Sequence, residues 1–387
     1  MGIRKHSLFF IVFLILIAGC DNPTGALTIE APQPSCTNTS TILPATSVLI
    51  PPEMTPTREP TKASTPTEVP PSPFPEPFLP PGLAQISAGN IAEIQQLSII
   101  PVKEIYDLTF SPSGNKLATL SEPWDDRFND YMEVWDLESG SQNLYLQELD
   151  SPAKLFFSQD ENLLYLFFAD KGIEAYDLTN GTLVRTIALE EDYLDFSPDG
   201  KTVAVGKFLG NVNTSMVRTL DLTTEKELSN FYDPGIIMNL KFLPDGSMLS
   251  MGMQILNHYR ISVWELPSQV LVIELMDYDS GLIFSPRGSL TATVKGGQVY
   301  IFSTDGMIWR ASYGFVDPFT NPNPRDFSLN GNVLAIEDRY NIRFLVPDTG
   351  EELFNLPNEC DVKFSPNGNT LVTWCYQGDL KIWGIMP

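Results

Sequence analysis

From about residue 84 onward the hydrophobic residues fall into short runs separated by turn residues, and runs of this length are typical of β-strands. Examples are KLATL (116–120), TVAVG (202–206) and TLVTW (370–374). A five-residue motif precedes each run, and it occurs as FSPSG (110–114), FSQDE (157–161), FSPDG (196–200), FLPDG (242–246), FSPRG (284–288), FSLNG (327–331) and FSPNG (364–368). In this motif a strand ends on Phe, Pro presets φ for a turn, and Asp or Asn followed by Gly accepts the left-handed backbone. The pattern predicts seven β-hairpins.

The spacing of the motif predicts how these hairpins are arranged. Successive phenylalanines lie 47, 39, 46, 42, 43 and 37 residues apart. A period near 40 to 45 residues is typical of propeller blades, each with four strands named a to d from the axis outward. The sequence therefore predicts an all-β fold, a seven-bladed β-propeller of four-stranded antiparallel blades.

A second recurring element supports this prediction and carries a family resemblance. It reads EVWDLESG (133–140), EAYDLTNG (174–181), RTLDLTTE (218–225), SVWELPSQ (262–269), VYIFSTDG (299–306), RFLVPDTG (343–350) and LKIWGIMP (380–387). The pairs Trp135–Asp136 and Tyr176–Asp177 resemble the signature of WD-repeat (WD40-like) propellers. No Gly-His pair opens the repeats, so this chain departs from the fuller WD pattern. The resemblance is specific for the fold and unspecific for activity, because propellers carry many functions.

The last repeat contains only three strands before the chain ends, which would leave one sheet edge unpaired. An unassigned strand-like segment, IAEIQQLSIIP (91–101), precedes the first repeat. We expect it to pair with strand c of the last blade beside Trp383 and to close the ring. Cys360 and Cys375 flank the turn of the same blade, so they can form a cross-strand disulfide or remain buried thiols.

The N-terminus has the pattern of an export signal. Basic Arg4 and Lys5 precede the apolar run SLFFIVFLILIAG, which ends in IAGC at Cys20. This resembles the bacterial lipoprotein signal, which implies an acylated Cys20 after a signal peptide spanning 1–20. We therefore expect a lipid-anchored protein in the cell membrane, facing outside the cytoplasm, at the cell surface or in the periplasm.

Residues 21–83 form a linker of different composition. Residues 21–82 hold 16 of the 32 prolines and show no apolar period, so they cannot bury a core. We expect a disordered Pro/Thr-rich tether that precedes a propeller domain at 84–387.

The net charge and the small numbers of cysteine and histidine restrict the kinds of ligand that the chain is expected to bind. The net charge of −24 disfavours nucleic acid as a direct ligand. With four cysteines and two histidines, the chain is predicted to need no metal and no cofactor. A catalytic residue is not predicted either, because His258 is the sole histidine after residue 20 and no nucleophile motif surrounds it.

The candidate binding residues lie in loops that vary in length. The distance from the turn glycine, or its equivalent, to the strand-c aromatic or its equivalent is 14 or 15 residues in four repeats and 18 to 21 in repeats one, three and four. This predicts longer b–c loops there, on the same face as a long d–a loop at 313–326. The candidate binding residues on this face are Trp124, Asp125, Asp126, Arg127, Phe128, Asp130, His258, Tyr259, Phe315 and Phe319.

Two interpretations of these residues stay open beside partner binding. PWDDRFND (123–130) can be a solvated loop with Trp124 folded onto a neighbouring blade, or its carboxylates can hold calcium. We predict that the face binds a protein or a glycan. The alternative is an exported propeller enzyme of the lactonase, dehydrogenase or glycosidase type, which would need clustered ionisable groups at a channel mouth.

Overall fold

The computed structural model describes residues 78–387 except 103, 123–129, 267, 280, 305–307, 315–321, 340 and 377, and antiparallel hairpins make up most of these residues. The sole helix among these residues is a 3-10 turn at Ile91–Glu93. None of the described helices is long and apolar enough to cross a membrane. The signal segment and most of the predicted tether lie outside the described residues.

The strands in chain order are β1 (Gln95–Ile100), β2 (Ile105–Phe110), β3 (Lys116–Ser121), β4 (Asp130–Asp136), β5 (Ser141–Leu149), β6 (Lys154–Phe157), β7 (Leu163–Phe168), β8 (Gly172–Asp177), β9 (Leu183–Ile187), β10 (Tyr193–Phe196), β11 (Thr202–Leu209), β12 (Thr214–Asp221), β13 (Glu227–Pro234), β14 (Ile236–Phe242), β15 (Met248–Ile255), β16 (His258–Glu265), β17 (Val270–Met276), β18 (Ile283–Phe284), β19 (Leu290–Lys295), β20 (Gln298–Ser303), β21 (Ile308–Gly314), β22 (Asn323–Phe327), β23 (Leu334–Asp338), β24 (Asn341–Leu345), β25 (Glu352–Pro357), β26 (Asp361–Phe364), β27 (Thr370–Trp374) and β28 (Leu380–Gly384).

These strands form seven four-stranded antiparallel sheets, which are the seven predicted blades. Blade 1 is β2–β5, and each following set of four strands is the next blade, up to blade 6 at β22–β25. Blade 7 has the order β26, β27, β28 and β1. The prediction of a seven-bladed propeller closed by an N-terminal strand is confirmed.

The repeated turn motif forms because its side chains satisfy the backbone of the turn. In blade 3, Ser197 Oγ accepts from the Thr202 amide at 2.9 Å and donates to Asp199 at 2.7 Å. Gly200 then adopts φ +66°, a conformation that residues with a Cβ rarely adopt. Blade 2 has Glu161 instead, at φ +57°. There its carboxylate accepts from the Ser113 amide of blade 1 at 2.6 Å, which offsets part of the strain.

The closing strand pairs where the sequence predicts. In the β1–β28 ladder Gln96 lies opposite Trp383. The strand begins at Gln95 rather than at Ile91, because Ile91 and Ile94 enter the core around the 3-10 turn. Packing on the propeller also starts before the predicted boundary at residue 84, since Phe78 is buried with an exposure of 3%.

The extra residues of blades 3 and 4 lengthen strands instead of loops. Strands b and c are eight residues long in both blades. The connections between them are 210–213 in blade 3 and 256–257 in blade 4. The prediction of longer b–c loops in these two blades is therefore wrong, because a motif spacing does not distinguish a loop from an extended hairpin.

Cys360 and Cys375 form a disulfide in blade 7, with their Cα atoms 4.9 Å apart and a sequence separation of 15. The pair lies just beyond the terminal Asp361–Trp374 pairing of strands a and b. The crosslink therefore joins the ends of the two inner strands in the blade that closes the ring.

We expect the double variant Cys360→Ser with Cys375→Ser to lose about 3 kcal/mol of unfolding free energy, because a crosslink over a loop of this size restricts the unfolded chain. Denaturant titration with and without reductant measures the loss. Reduced wild type should match the variant. Equal stability of oxidised wild type and variant would contradict the crosslink.

A second stability effect comes from Glu133 in β4. Glu133 is 9% exposed, and Gln142 Nε2 donates to its Oε1. Burial raises the pKa of this carboxyl from 4.5 to about 7. Folding therefore favours the protonated form, and stability is lost as pH rises through this range.

We expect the unfolding free energy to fall by roughly 3 kcal/mol from this group between about pH 4.5 and 7. Glu133→Gln removes the charge and should flatten that part of the pH profile, making the variant more stable than wild type at pH 8. Chemical denaturation across the pH range tests this. Glu138→Gln, in an exposed turn, is the matched control, and an unchanged slope in Glu133→Gln would contradict the prediction.

Candidate interaction face

The connections between strands divide the propeller into two faces. Because the strands alternate in direction, all b–c and d–a connections emerge on one side, which we call the loop face. The a–b and c–d turns emerge on the other, the turn face. The predicted binding residues Trp124 to Phe128, Phe315 and Phe319 lie outside the described residues.

Asp130 is described, and it lies inside blade 1. It is 8% exposed at the start of β4 and accepts a hydrogen bond from the phenol of Tyr106. Tyr106 is partly exposed, but desolvation of its hydroxyl and the Asp130 carboxylate raise the pKa of this phenol. The structure thus places Asp130 beneath the loop face, where it orients Tyr106.

His258 and Tyr259 lie on the blade 4 hairpin but point in different directions. His258 Nδ1 lies 2.6 Å from Asp277 Oδ1, and both side chains are exposed. The Tyr259 hydroxyl accepts from Asn239 Nδ2 at 3.0 Å, and burial raises the pKa of Tyr259 to about 12. A Cβ at Gly252 would lie 1.9 Å from that hydroxyl, so the contact requires glycine. Of the two, His258 is the one whose side chain is exposed to solvent.

Exposed apolar side chains are the strongest binding feature on the described part of the loop face. The hairpin ends of blades 3 and 4 carry Val212 and Leu256, which are 60% and 82% exposed. Tyr232 lies near the end of the outer strand of blade 3. The remaining exposed apolar residues at this face are Tyr106, Ile236, Met238, Met276 and Tyr376. Sequence reasoning missed Val212 and Leu256 because it assigned the extra length of blades 3 and 4 to loops rather than to extended hairpins.

A buried polar network holds the two projecting hairpins together. Asp233 of blade 3 is fully buried and forms an ion pair with Arg260 of blade 4. Its carboxylate also accepts from Ser262 Oγ at 2.7 Å and from Trp264 Nε1 at 3.2 Å. Arg260, Ser262 and Trp264 alternate along β16, so they share one face of the strand. The network therefore fixes the hairpins that carry the exposed apolar side chains.

The innermost strands place six charged residues around the central channel, and we call this set the channel ring. Its members are Asp107, Lys154, Asp195, Lys241, Asp326 and Lys363. Acid and base alternate around the ring, with no charged member from blade 5, where Ile283 occupies the position next to the strand-ending Phe.

Each aspartate of the channel ring binds the next blade. The three carboxylates accept from the backbone amides of Leu155, Phe242 and Phe364 at 2.7 to 2.8 Å. Two lysines also link neighbouring blades, by donating hydrogen bonds to backbone carbonyl oxygens. Lys154 donates to Leu194 O at 3.2 Å and Lys363 donates to Leu108 O at 3.1 Å. The ring therefore links neighbouring blades at the axis.

The electrostatics of the channel ring fit this linking role. Burial raises the pKa of Asp326 and lowers that of Lys241, while each lies in the field of the other. The three negative and three positive charges compensate. Each of the three carboxylates accepts a hydrogen bond from a backbone amide of the next blade, which is a structural role. Within the described residues, no group of three or more His, Cys, Asp or Glu side chains is placed to hold a metal ion.

Comparison with known proteins agrees with the repeat pattern. No protein-family model matches the chain. Transcription factor unc-37 of Caenorhabditis elegans is 33% identical over 131 residues, which is 33% of this chain and 20% of the relative. Protein groucho of Drosophila melanogaster is 32% identical over 130 residues, 32% of this chain and 17% of the relative. The matches thus span a fifth or less of these relatives. With seven four-stranded blades, they support a WD40-like propeller.

We expect Asp326→Ala to lower the unfolding free energy by about 1 to 3 kcal/mol, because the amides of Phe364 and Phe327 each lose an acceptor at 2.8 Å. The control is Thr109→Ala. Thr109 lies immediately before the strand-ending Phe of blade 1, the position that Asp326 has in blade 6, and its replacement should change the unfolding free energy by less than about 0.5 kcal/mol. Denaturant titration compares the two variants. Equal effects would show that the channel ring does not link the blades.

Proposed function

We propose that the protein is a lipid-anchored scaffold outside the cytoplasm that binds a protein partner through its loop face. The observation that carries this proposal is the set of exposed apolar side chains on the hairpins of blades 3 and 4. Isolated exposed apolar residues are common, but a group around one face is typical of an interaction site. Large apolar and aromatic anchors at fixed positions are also what binding hot spots require.

The fold and the network beneath the hairpins support this function. Rigid presentation reduces the entropy that is lost on binding, and the Asp233–Arg260 pair fixes both hairpins before a partner arrives. His258 and Asp277 lie at the end of the blade 4 hairpin and add polar groups of opposite charge when the imidazole is protonated. The alternative ligand for the same face is a glycan.

The proposed location rests on the N-terminal sequence. A basic start, an apolar run and IAGC at Cys20 resemble the lipoprotein signal. Two or more acyl chains give stable anchoring, since each buried methylene contributes about 0.8 kcal/mol. A proline-rich tether at 21–83 would then hold the propeller away from the bilayer. The relatives are matched over too little of their length to transfer their named role in transcription.

The proposal predicts a partner that depends on the loop face. Full-length protein is crosslinked in intact cells, solubilised and analysed by mass spectrometry. Wild type is compared with the triple variant Val212→Ser, Tyr232→Ser and Leu256→Ser. We expect the crosslinked partner to be lost in this variant because its apolar anchors are gone.

The matched control changes equally exposed residues away from the loop face, Ile308→Ser and Trp309→Ser, which are 65% and 59% exposed in wild type. The control should keep the partner. Partners that persist in the triple variant would overturn the loop-face assignment. Mass spectrometry of the wild-type N-terminus tests the anchor in parallel, and a Cys20 that carries no acyl chain would overturn lipidation.

A further inference from the structure

A cleft on the turn face lies between blades 3 and 4, opposite the proposed interaction face. Its volume is about 690 Å³, and ligand pockets have volumes of roughly 300 to 1,000 Å³. Thr219 and Ser229 of blade 3 form one wall, and blade 4 contributes Phe242, Pro244 and Leu266. Leu228 also lines the cleft and is 54% exposed.

The cleft exists because of two small residues at one position of the repeat. In every blade, one residue of strand c and its cross-strand partner on strand d face the next blade. At this position, blade 1 has Val134 on strand c opposite Leu144 on strand d. Both side chains are buried in the apolar cluster between blades 1 and 2. Blade 3 has Thr219 opposite Ser229, with their hydroxyls 2.7 Å apart. Two short polar side chains leave open the space that valine and leucine fill.

Blade 7 shows how such a space is filled from outside the blades. Its pair is Ile382 opposite Ser98, again with a small residue on strand d. Phe78, from the segment before the propeller, is buried in the cluster between blades 7 and 1. Its ring lies 5.9 Å from that of Trp135. Phe78 lies in the proline-rich sequence PFLPP, where the backbone bends at 78–79 and turns at 81–82, so a proline-flanked aromatic anchor completes this interface.

From this comparison we propose that the cleft between blades 3 and 4 binds a proline-flanked peptide segment of another protein through an aromatic side chain. Phe242, Pro244 and Leu266 supply an apolar floor. The Thr219 and Ser229 hydroxyls keep unused hydrogen-bonding capacity for the peptide backbone.

The charges around the cleft define the peptide further. Asp199 and Asp245 line it with Lys201 as the single cation, so carboxylates exceed ammonium groups by one. A basic side chain next to the aromatic anchor of the peptide compensates the one excess negative charge of the cleft. The site lies on the turn face, so it is independent of the loop-face function proposed above and adds a second partner surface.

A labelled peptide with the sequence SPFPEPFLPPGL, which is residues 72–83 of this chain, is the probe. Its binding to full-length protein in detergent is measured by fluorescence anisotropy. We expect saturable binding, stronger for the peptide with Glu76→Lys and lost for the peptide with Phe74→Ala and Phe78→Ala. Failure of the probe to bind, or equal binding of the alanine peptide, would overturn the proposal.

The decisive protein variant is Thr219→Val with Ser229→Leu, which copies the blade 1 pair into blade 3. Filling the cleft should weaken peptide binding by roughly tenfold or more while leaving the melting temperature unchanged or higher. Leu228→Ala, at an exposed position, should weaken binding without affecting folding. Leu256→Ser, on the loop face, should bind like wild type.

Two outcomes would overturn the assignment. Binding that survives the filled cleft would mean that the probe exchanges with Phe78 between blades 7 and 1. A wild-type dimer that dissociates in the filled variant, measured by light scattering, would show that a second copy of this chain occupies the cleft instead of another protein.

Discussion

Pairing of β1 with β28 is the interaction on which the remaining structure depends. Without it, β28 would present unpaired amides and carbonyls along the outer edge of blade 7, and the first and last blades would not be joined through a shared sheet. Strand β1 comes from before the first repeat, so closure couples the two ends of the propeller sequence. The segment from Phe78 to Ile94 then continues across the turn face and fills space between blades with apolar side chains.

The channel ring extends the same coupling to the axis. Blades in a propeller contact one another mainly through apolar side chains, which are not directional. A carboxylate that accepts the amide of the next blade, as Asp195 does with Phe242, fixes the register between innermost strands. The ring is built from the residue immediately before, or three before, the strand-ending Phe, so the same repeat that specifies the turn also specifies the link between blades.

The fold could be predicted from sequence because its signal is repeated seven times. A turn motif such as SPDG specifies its own hydrogen bonds, and the missing fourth strand follows from counting. The interaction face could be predicted only in part. Spacing showed that blades 3 and 4 carry extra residues, but only the ladder shows that Val212 and Leu256 lie at hairpin ends. The Asp233–Arg260 pair joins residues 27 apart in different blades, so no local pattern indicates it.

The repeat also explains why the two faces differ in what they can bind. On the loop face, the candidate binding residues are ones added to the repeat. They project as hairpins and carry exposed apolar side chains. On the turn face, the turns are nearly uniform, so a site arises only where a buried position is changed. Thr219 and Ser229 are such a change, because both members of this pair are short, whereas the pair of every other blade has at least one larger side chain, such as Arg185 opposite Ala175 or Ile301 opposite Ala311. A propeller can therefore gain one kind of site by insertion and another by substitution, without changing the strands that close the ring.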